Sequence, residues 1–193
     1  MFEIKRYQDQ LISLHDHICP RQVLGLRMGE LAGEMLGVPL PQQDKRLYVF
    51  VETDGCFADG VMVATGCSIG HRTLRVEDQG KVAATFVDMG HLAQRALRIW
   101  PHPLARQRAR ELAPAAQSRY MAQLEAYQHM PAAALLCTAN VALTVSMQAR
   151  ISKPGVRVLC EVCGEEIINE RQIVRDGVNL CATCAGVSQY YLK

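Results

Sequence analysis

The chain is short of aromatic residues, which make up 6% of its 193 positions with a single Trp, and short of net charge, with 21 Lys and Arg against 19 Asp and Glu. A formal charge of +2 gives no chain-wide electrostatic reason to bind nucleic acid or an anionic membrane. No stretch nears the roughly 18 uninterrupted apolar residues of a membrane span. Met1 to Gln10 mixes charged and apolar residues where a signal peptide would carry an apolar block, so a cytoplasmic location is expected. Also missing are a phosphate-binding P-loop, a dinucleotide fingerprint, a Ser-His-Asp arrangement, an internal repeat and any low-complexity tract. What remains is 49% hydrophobic and includes eight Met. This fits one main core of aliphatic and thioether groups with a small appendage.

Cysteine is the residue in excess. In a reducing compartment eight Cys point to metal ligation or redox chemistry more than to a disulfide framework. Cys160-x2-Cys163 and Cys181-x2-Cys184 lie 17 residues apart, a spacing that builds tetrahedral zinc sites from four thiolates. The stretch Ile167 to Leu180, with Asp176-Gly177 inside it, predicts a hairpin, and Ala182 to Tyr191 predicts a helix at the second Cys pair. Knuckle, hairpin and helix together suggest a treble clef. Four protein ligands leave no open position, which favours a structural zinc. From Val158 to Lys193 three basic residues stand against five acidic ones, which disfavours nucleic acid as the finger's partner.

Upstream, apolar spacing and Pro20 predict a helix over 20–36, ended by Gly37. Arg46–Thr53 reads as a strand and Cys56–Thr65 as a short helix closed by Gly66. Thr73–Glu77 and Lys81–Asp88 read as a hairpin across Asp78-Gln79-Gly80. Ala93–Ile99, Leu104–Leu112 and Pro114–His129 read as helices, Ala132–Cys137 as a turn, and Val141–Ile151 as a long final strand. Five Arg between Arg95 and Glu111 make a basic face, read chiefly as solvated. The expected organisation is a core over 1–152, a linker over 153–157 and a zinc-binding domain over 158–193.

His15-Asp-His17-Ile-Cys19 puts three candidate ligands at alternate positions, which project to one side of an extended segment. Cys19 and Cys56 each stand at a predicted helix start, where the dipole and free N–H groups favour a thiolate. Asp54 and Asp59 are candidate carboxylates around a metal, or a general base. The turn Thr65-Gly66-Cys67-Ser68-Ile69-Gly70-His71 offers backbone N–H groups to an anion, which makes Gly66, Cys67, Gly70 and His71 candidate cofactor contacts.

His15-Asp-His-Ile-Cys-Pro, Val23-Leu-Gly-Leu-Arg-Met28, Glu52-Thr-Asp-Gly-Cys56-x2-Asp59, Thr65-Gly-Cys-Ser-Ile-Gly70 and Gly80-Lys-Val-Ala-Ala-Thr-Phe86, in that order, resemble the FmdE-like family, named for the FmdE component of formylmethanofuran dehydrogenase. The resemblance covers about residues 10–150. It implies an α+β core with a mixed or antiparallel sheet and helices packed on it, a homodimer, and His17, Cys19, Cys56 and Cys67 lining an active or metal site. It further implies an association with molybdenum- or tungsten-pterin enzymes that interconvert carbon dioxide and formyl groups, and an auxiliary C-terminal treble clef. Many relatives read Gly-Lys where this chain has Gly70-His71, so His71 stands there as a pH-sensitive substitute or extra ligand.

Two functional readings follow. In the first, His17, Cys19 and Cys56 hold a second ion, zinc or iron, with one position open, while Asp59 or His15 moves a proton. In the second, the chain is a non-catalytic accessory subunit or metal chaperone for a molybdenum or tungsten enzyme, docked through the finger. A zinc-finger transcription regulator ranks below both because of the acidic tail.

Overall fold

A computed structural model describes residues 2–90, 95–151 and 155–188. They fall into two compact units, Met1–Ala142 and Leu143–Lys193. The linker residues Lys153 and Pro154 lie outside the described residues. Among the described residues no helix is long and apolar enough to cross a membrane.

In the first unit, a 3-10 turn at Ile4–Tyr7 leads into α1 (Gln8–Leu14), α2 (Pro20–Leu36), β1 (Leu47–Val51) and α3 (Cys56–Thr65). The chain continues through β2 (Leu74–Val76), β3 (Ala84–Asp88), β4 (Arg95–Pro101), α4 (Ala105–Leu112), α5 (Arg119–His129), α6 (Ala132–Leu135) and β5 (Leu136–Asn140). The five strands form one sheet in the order β2-β1-β3-β4-β5. β1 pairs in parallel with β2, and the other neighbours are antiparallel. The architecture is thus α+β with a mixed sheet, as expected.

Helix α2 begins at Pro20, whose missing N–H costs nothing in a first turn, and ends at Gly37 in a left-handed conformation. Val23, Leu24, Leu26, Met28, Ala32 and Leu36 are buried along it. All but Leu26 join Val49, Phe57, Phe86 and Ile99 in one core between helices and sheet, while Leu26 packs with Tyr7, Leu11 and Ala64 in a second cluster. α2 and α3 approach closely because Gly25 faces the backbone of Phe57 and Val61, and Gly60 faces the backbone of Gln22. Arg27, buried on α2, donates to the carbonyls of Tyr127 at 2.8 Å and Met130 at 2.7 Å, which satisfies the otherwise open end of α5.

Three expected elements before the zinc-binding segment are corrected. β2 and β3 are not a hairpin, because they lie on opposite sides of β1. The link between them wraps the end of β1, with Glu77 N–H donating to Val51 O and both Gln79 and Lys81 N–H donating to Glu52 O. α3 is instead the crossover that a parallel β1–β2 pair requires. The second correction concerns 93–99, where the described part is strand. Leu97 and Ile99 face the core and pair with Phe86 and Ala84, so cross-strand packing overrides the helix propensity of Ala, Leu and Arg. Ala93 lies outside the described residues. Third, the last strand of this unit is Leu136–Asn140 and not Val141–Ile151. Pairing with β4 ends at Leu97 opposite Asn140 and one further bond from Val141 N–H to Ala96 O, and the alternating segment beyond that has no strand partner among the described residues to form a ladder.

At the amino end, the Tyr7 hydroxyl donates to Glu30 Oε1 at 2.8 Å. Burial, followed by that hydrogen bond, pushes its pKa up to about 12. The sign follows from linkage. A folded-state value above the unfolded one means full stabilisation below about pH 10, lost as pH rises through about 12. Tyr7→Phe is expected to lower stability at neutral pH by about 1 kcal/mol and to flatten the alkaline limb between those values. Urea unfolding at neutral pH and near pH 11 checks this; parallel pH profiles for the two proteins would contradict it.

The second unit holds α7 (Met147–Arg150) and two small hairpins, β6 (Arg157–Leu159) with β7 (Glu166–Ile168) and β8 (Ile173–Arg175) with β9 (Val178–Leu180). The expected hairpin between the Cys pairs is β8–β9. Its turn is Asp176-Gly177, both at positive φ, the type that matches strand twist. The expected helix from Ala182 is replaced over the described residues by turns. Ala185 N–H reaches Cys181 O and Gly186, at φ +69°, ends the turn. Tyr190 and Tyr191 lie outside the described residues.

Candidate functional site

The four cysteines of the second unit converge. The sulfurs of Cys160, Cys163, Cys181 and Cys184 all lie within 4.8 Å of one another, with Cys163 and Cys181 at 3.9 Å. Zn–S bonds of about 2.3 Å set tetrahedral sulfurs about 3.8 Å apart, so the donor set fits such an ion. Each pair sits on a tight turn. Gly164 N–H closes the first onto Cys160 O at 2.8 Å, and Cys184 N–H donates to Cys181 Sγ at 3.3 Å in the second. Backbone N–H groups of Cys163 and Cys181 aimed at Cys160 pull its thiol down to about 6, the ionised form a metal needs.

In the first unit the structure brings Cys19 and Cys56 together. Cys19 is the N-cap of α2. Its sulfur accepts the N–H of Gln22, while Gln22 Oε1 accepts Cys19 N–H at 2.8 Å, a capping box with a thiol in place of a hydroxyl. Cys56 opens α3, and its thiol lies near enough to that of Cys19 for this neighbour to raise its cost of ionisation. Contrary to the expected activation, the Cys56 thiol is pushed up. Burial is the main cause, followed by the neighbouring Cys19 thiol, and together they outweigh the lowering effect of Cys56's own backbone N–H. Gln22 Nε2 is buried nearby with no partner among the described residues.

Beside the thiols, His15 at the end of α1 meets Asp59 in the first turn of α3, with Nε2 to Oδ2 at 2.6 Å. Both side chains are about one-third exposed, so the contact sets geometry more than stability. Tyr120 of α5 completes the group. Its hydroxyl donates to Ile18 O at 3.3 Å, and its pKa is raised by burial and then by the two thiols. Nothing local in the sequence marks Tyr120, which lies about a hundred residues from Cys19 and meets the thiols only through the packing of α5.

His17 and Asp54 are exposed. Cys67 follows the far end of α3, and a ten-residue helix separates its ends by about 15 Å, beyond the reach of a shared ion. It is buried, its thiol donates to Leu47 O at 3.3 Å, and burial pushes its pKa up, as for a packed core thiol. Gly66, at φ +74°, ends α3 against Gln42, while Gly70 and His71 are exposed on the same turn. Among the described residues, the four C-terminal cysteines are the only group of three or more His, Cys, Asp or Glu whose ligand atoms come within 4.8 Å.

These features define an α+β domain with a paired-thiol site, coupled in sequence to a four-cysteine finger. Comparison with known proteins sharpens this. The chain belongs to the FmdE family, described as "FmdE, Molybdenum formylmethanofuran dehydrogenase operon", whose model matches residues 14–146. Residues 155–190 match the prokaryotic dksA/traR C4-type zinc finger. The crystal structure of an FmdE-like protein of the tungsten formylmethanofuran dehydrogenase type, from Syntrophus aciditrophicus, has a similar fold. Its TM-score is 0.65 at 22% identity, over 96% of this chain and 94% of that one. A probable S-adenosyl-L-methionine-binding protein of Archaeoglobus fulgidus is 43% identical over 76 residues, 38% of this chain. The chain spans about one-fifth of that relative's length (21%).

Proposed function

We propose that this chain is a cytoplasmic, homodimeric metal-binding protein of formyl, formate or carbon dioxide metabolism that serves a molybdenum or tungsten enzyme. A structural zinc is held by Cys160, Cys163, Cys181 and Cys184, and a second soft ion, zinc or iron, is held through Cys19 and Cys56. The observation that carries the second site is the meeting of two thiols, 37 positions apart in sequence, at the starts of α2 and α3. Sulfur ligands select such ions, and two protein thiols leave positions open for an exogenous ligand. His15, held by Asp59, is the proton carrier beside them. The one-carbon connection rests on the family description and on the name of the structural neighbour.

The test is elemental analysis of the full chain purified without added metal. Two equivalents per chain are expected, falling to one in Cys19→Ser or Cys56→Ser with the finger's zinc retained. A single zinc that is unchanged by either substitution removes the second site.

A second reading, an accessory subunit docked through its finger, is favoured by the exposure of Leu159, Val162, Val174 and Val187 on the small unit. Under it, Cys19→Ser leaves partner capture intact and Cys184→Ser abolishes it.

A further inference from the structure

A cavity of about 470 Å³ opens in the first unit between the start of α2, the link before β3, the end of β4 and helices α4 and α5. Its volume is that of a small-ligand site. Five basic side chains line it, Arg21, Lys81, Arg98, His102 and Arg106, and no Asp or Glu does. Leu24, Val82, Trp100, neighbouring prolines and small residues, Gln123 and Tyr127 make up the rest of its wall.

The charge is arranged. Glu52, buried at the end of β1, grips Arg98 with two hydrogen bonds of 2.6 and 2.7 Å. That pair holds the Arg98 guanidinium 5.0 Å over the Trp100 ring. Glu52 therefore neutralises Arg98, whose guanidinium covers one face of the Trp100 ring. Arg21, Lys81 and Arg106 form no ion pair among the described residues, and the positive charge of Arg106 acts on the Tyr127 hydroxyl, which lines the same cavity. His102 Nδ1 accepts Leu104 N–H at 3.1 Å, which leaves the proton of the neutral ring on Nε2 as a further donor.

Free cations with no acid opposite them attract an anion, and an aromatic ring in the same wall offers a face for stacking a planar heterocycle. We propose that this cavity binds a phosphorylated planar heterocycle of mononucleotide size, with the phosphate at Arg21, Lys81 and Arg106 and the ring against Trp100. Pro20 and Arg21 directly follow Cys19, so one wall is the first turn of the helix that Cys19 caps. Neither Cys19 nor Cys56 lines the cavity, so the inference stands apart from what the thiols hold. The sulfonium of S-adenosylmethionine carries the wrong charge for this wall.

Trp100 is the chain's sole tryptophan, so its fluorescence reports the cavity directly. With adenosine 5′-diphosphate as the probe, a saturable change is expected. Lys81→Ala and Arg21→Ala, both at exposed positions that leave the fold intact, should each weaken it at least ~10-fold, and Lys81→Arg should restore it. Adenosine alone and inorganic phosphate alone should each bind at least ~10-fold more weakly than the diphosphate. The proposal is overturned by the absence of a saturable change into the millimolar range, by a change indifferent to both substitutions, by phosphate binding as well as the nucleotide, or by S-adenosylmethionine doing so.

Discussion

Replacing one finger ligand, Cys181→Ser, is expected to release the bound zinc and unfold residues 155–188 while the first unit keeps its structure. The four strands of that segment are three residues each. Cys160, Ile167 and Ala185 are its buried side chains, far too little apolar surface to offset the entropy of ordering the segment. The metal must supply the difference, on the order of 10 kcal/mol in isolated zinc modules. Cys181 is also the hinge of the local network. Its N–H donates to Cys160 Sγ at 3.3 Å and its sulfur accepts Cys184 N–H. Hydrogen exchange should therefore become unprotected across 155–188 in the variant, and equally in wild type treated with a strong chelator. Protection that survives metal removal would show that the module folds on packing alone.

Gly60→Ala is expected to be the most damaging small substitution in the first unit. On propensity alone it should stabilise α3 by about 1 kcal/mol. A methyl group at this position, however, meets the carbonyl oxygen and backbone of Gln22 on α2, which cannot rotate away as a side chain could. Gly25 presents the same difficulty from the other side, against Phe57 O and Val61 N. The two helices would have to separate, opening the core at Val23, Phe57 and Val61 and moving Cys56 away from Cys19. A loss of about 3 kcal/mol or more is expected, so the clash wins over propensity. Gly70→Ala is the control. It meets nothing within 4 Å and should change stability by less than about 0.5 kcal/mol. Denaturant unfolding of both variants decides the matter, and equal midpoints would mean that the α2–α3 approach has slack.

The two substitutions separate what was legible in the residues from what was not. Helices α2 and α3 can be bounded from Pro20, Gly37 and Gly66 alone, because helix starts and stops are local steric events. The finger is legible for the same reason, since each Cys-x2-Cys turn forms within four residues. β4 is not. Arg95–Ile99 carries helix-forming residues and becomes strand only because β3 and β5 lie on either side of it. The apparent hairpin of β2 and β3 fails because β1, more than twenty positions earlier, lies between them.

The site divides along the same line. His15, Cys19, Cys56 and Asp59 were marked by type and spacing, and their neighbourhood follows once α2 packs on α3. Cys67 shared their motif but stands at the far end of α3, and His17, two residues from Cys19, is exposed. By itself the sequence determined the zinc ligands, the principal helices and the family, because these depend on short-range geometry and on motifs in order along the chain. Strand order, the pairing of Cys19 with Cys56 under Tyr120, and the cationic cavity around Trp100 were decided only in three dimensions, where the contacts join segments tens of residues apart and the core selects among locally equivalent conformations.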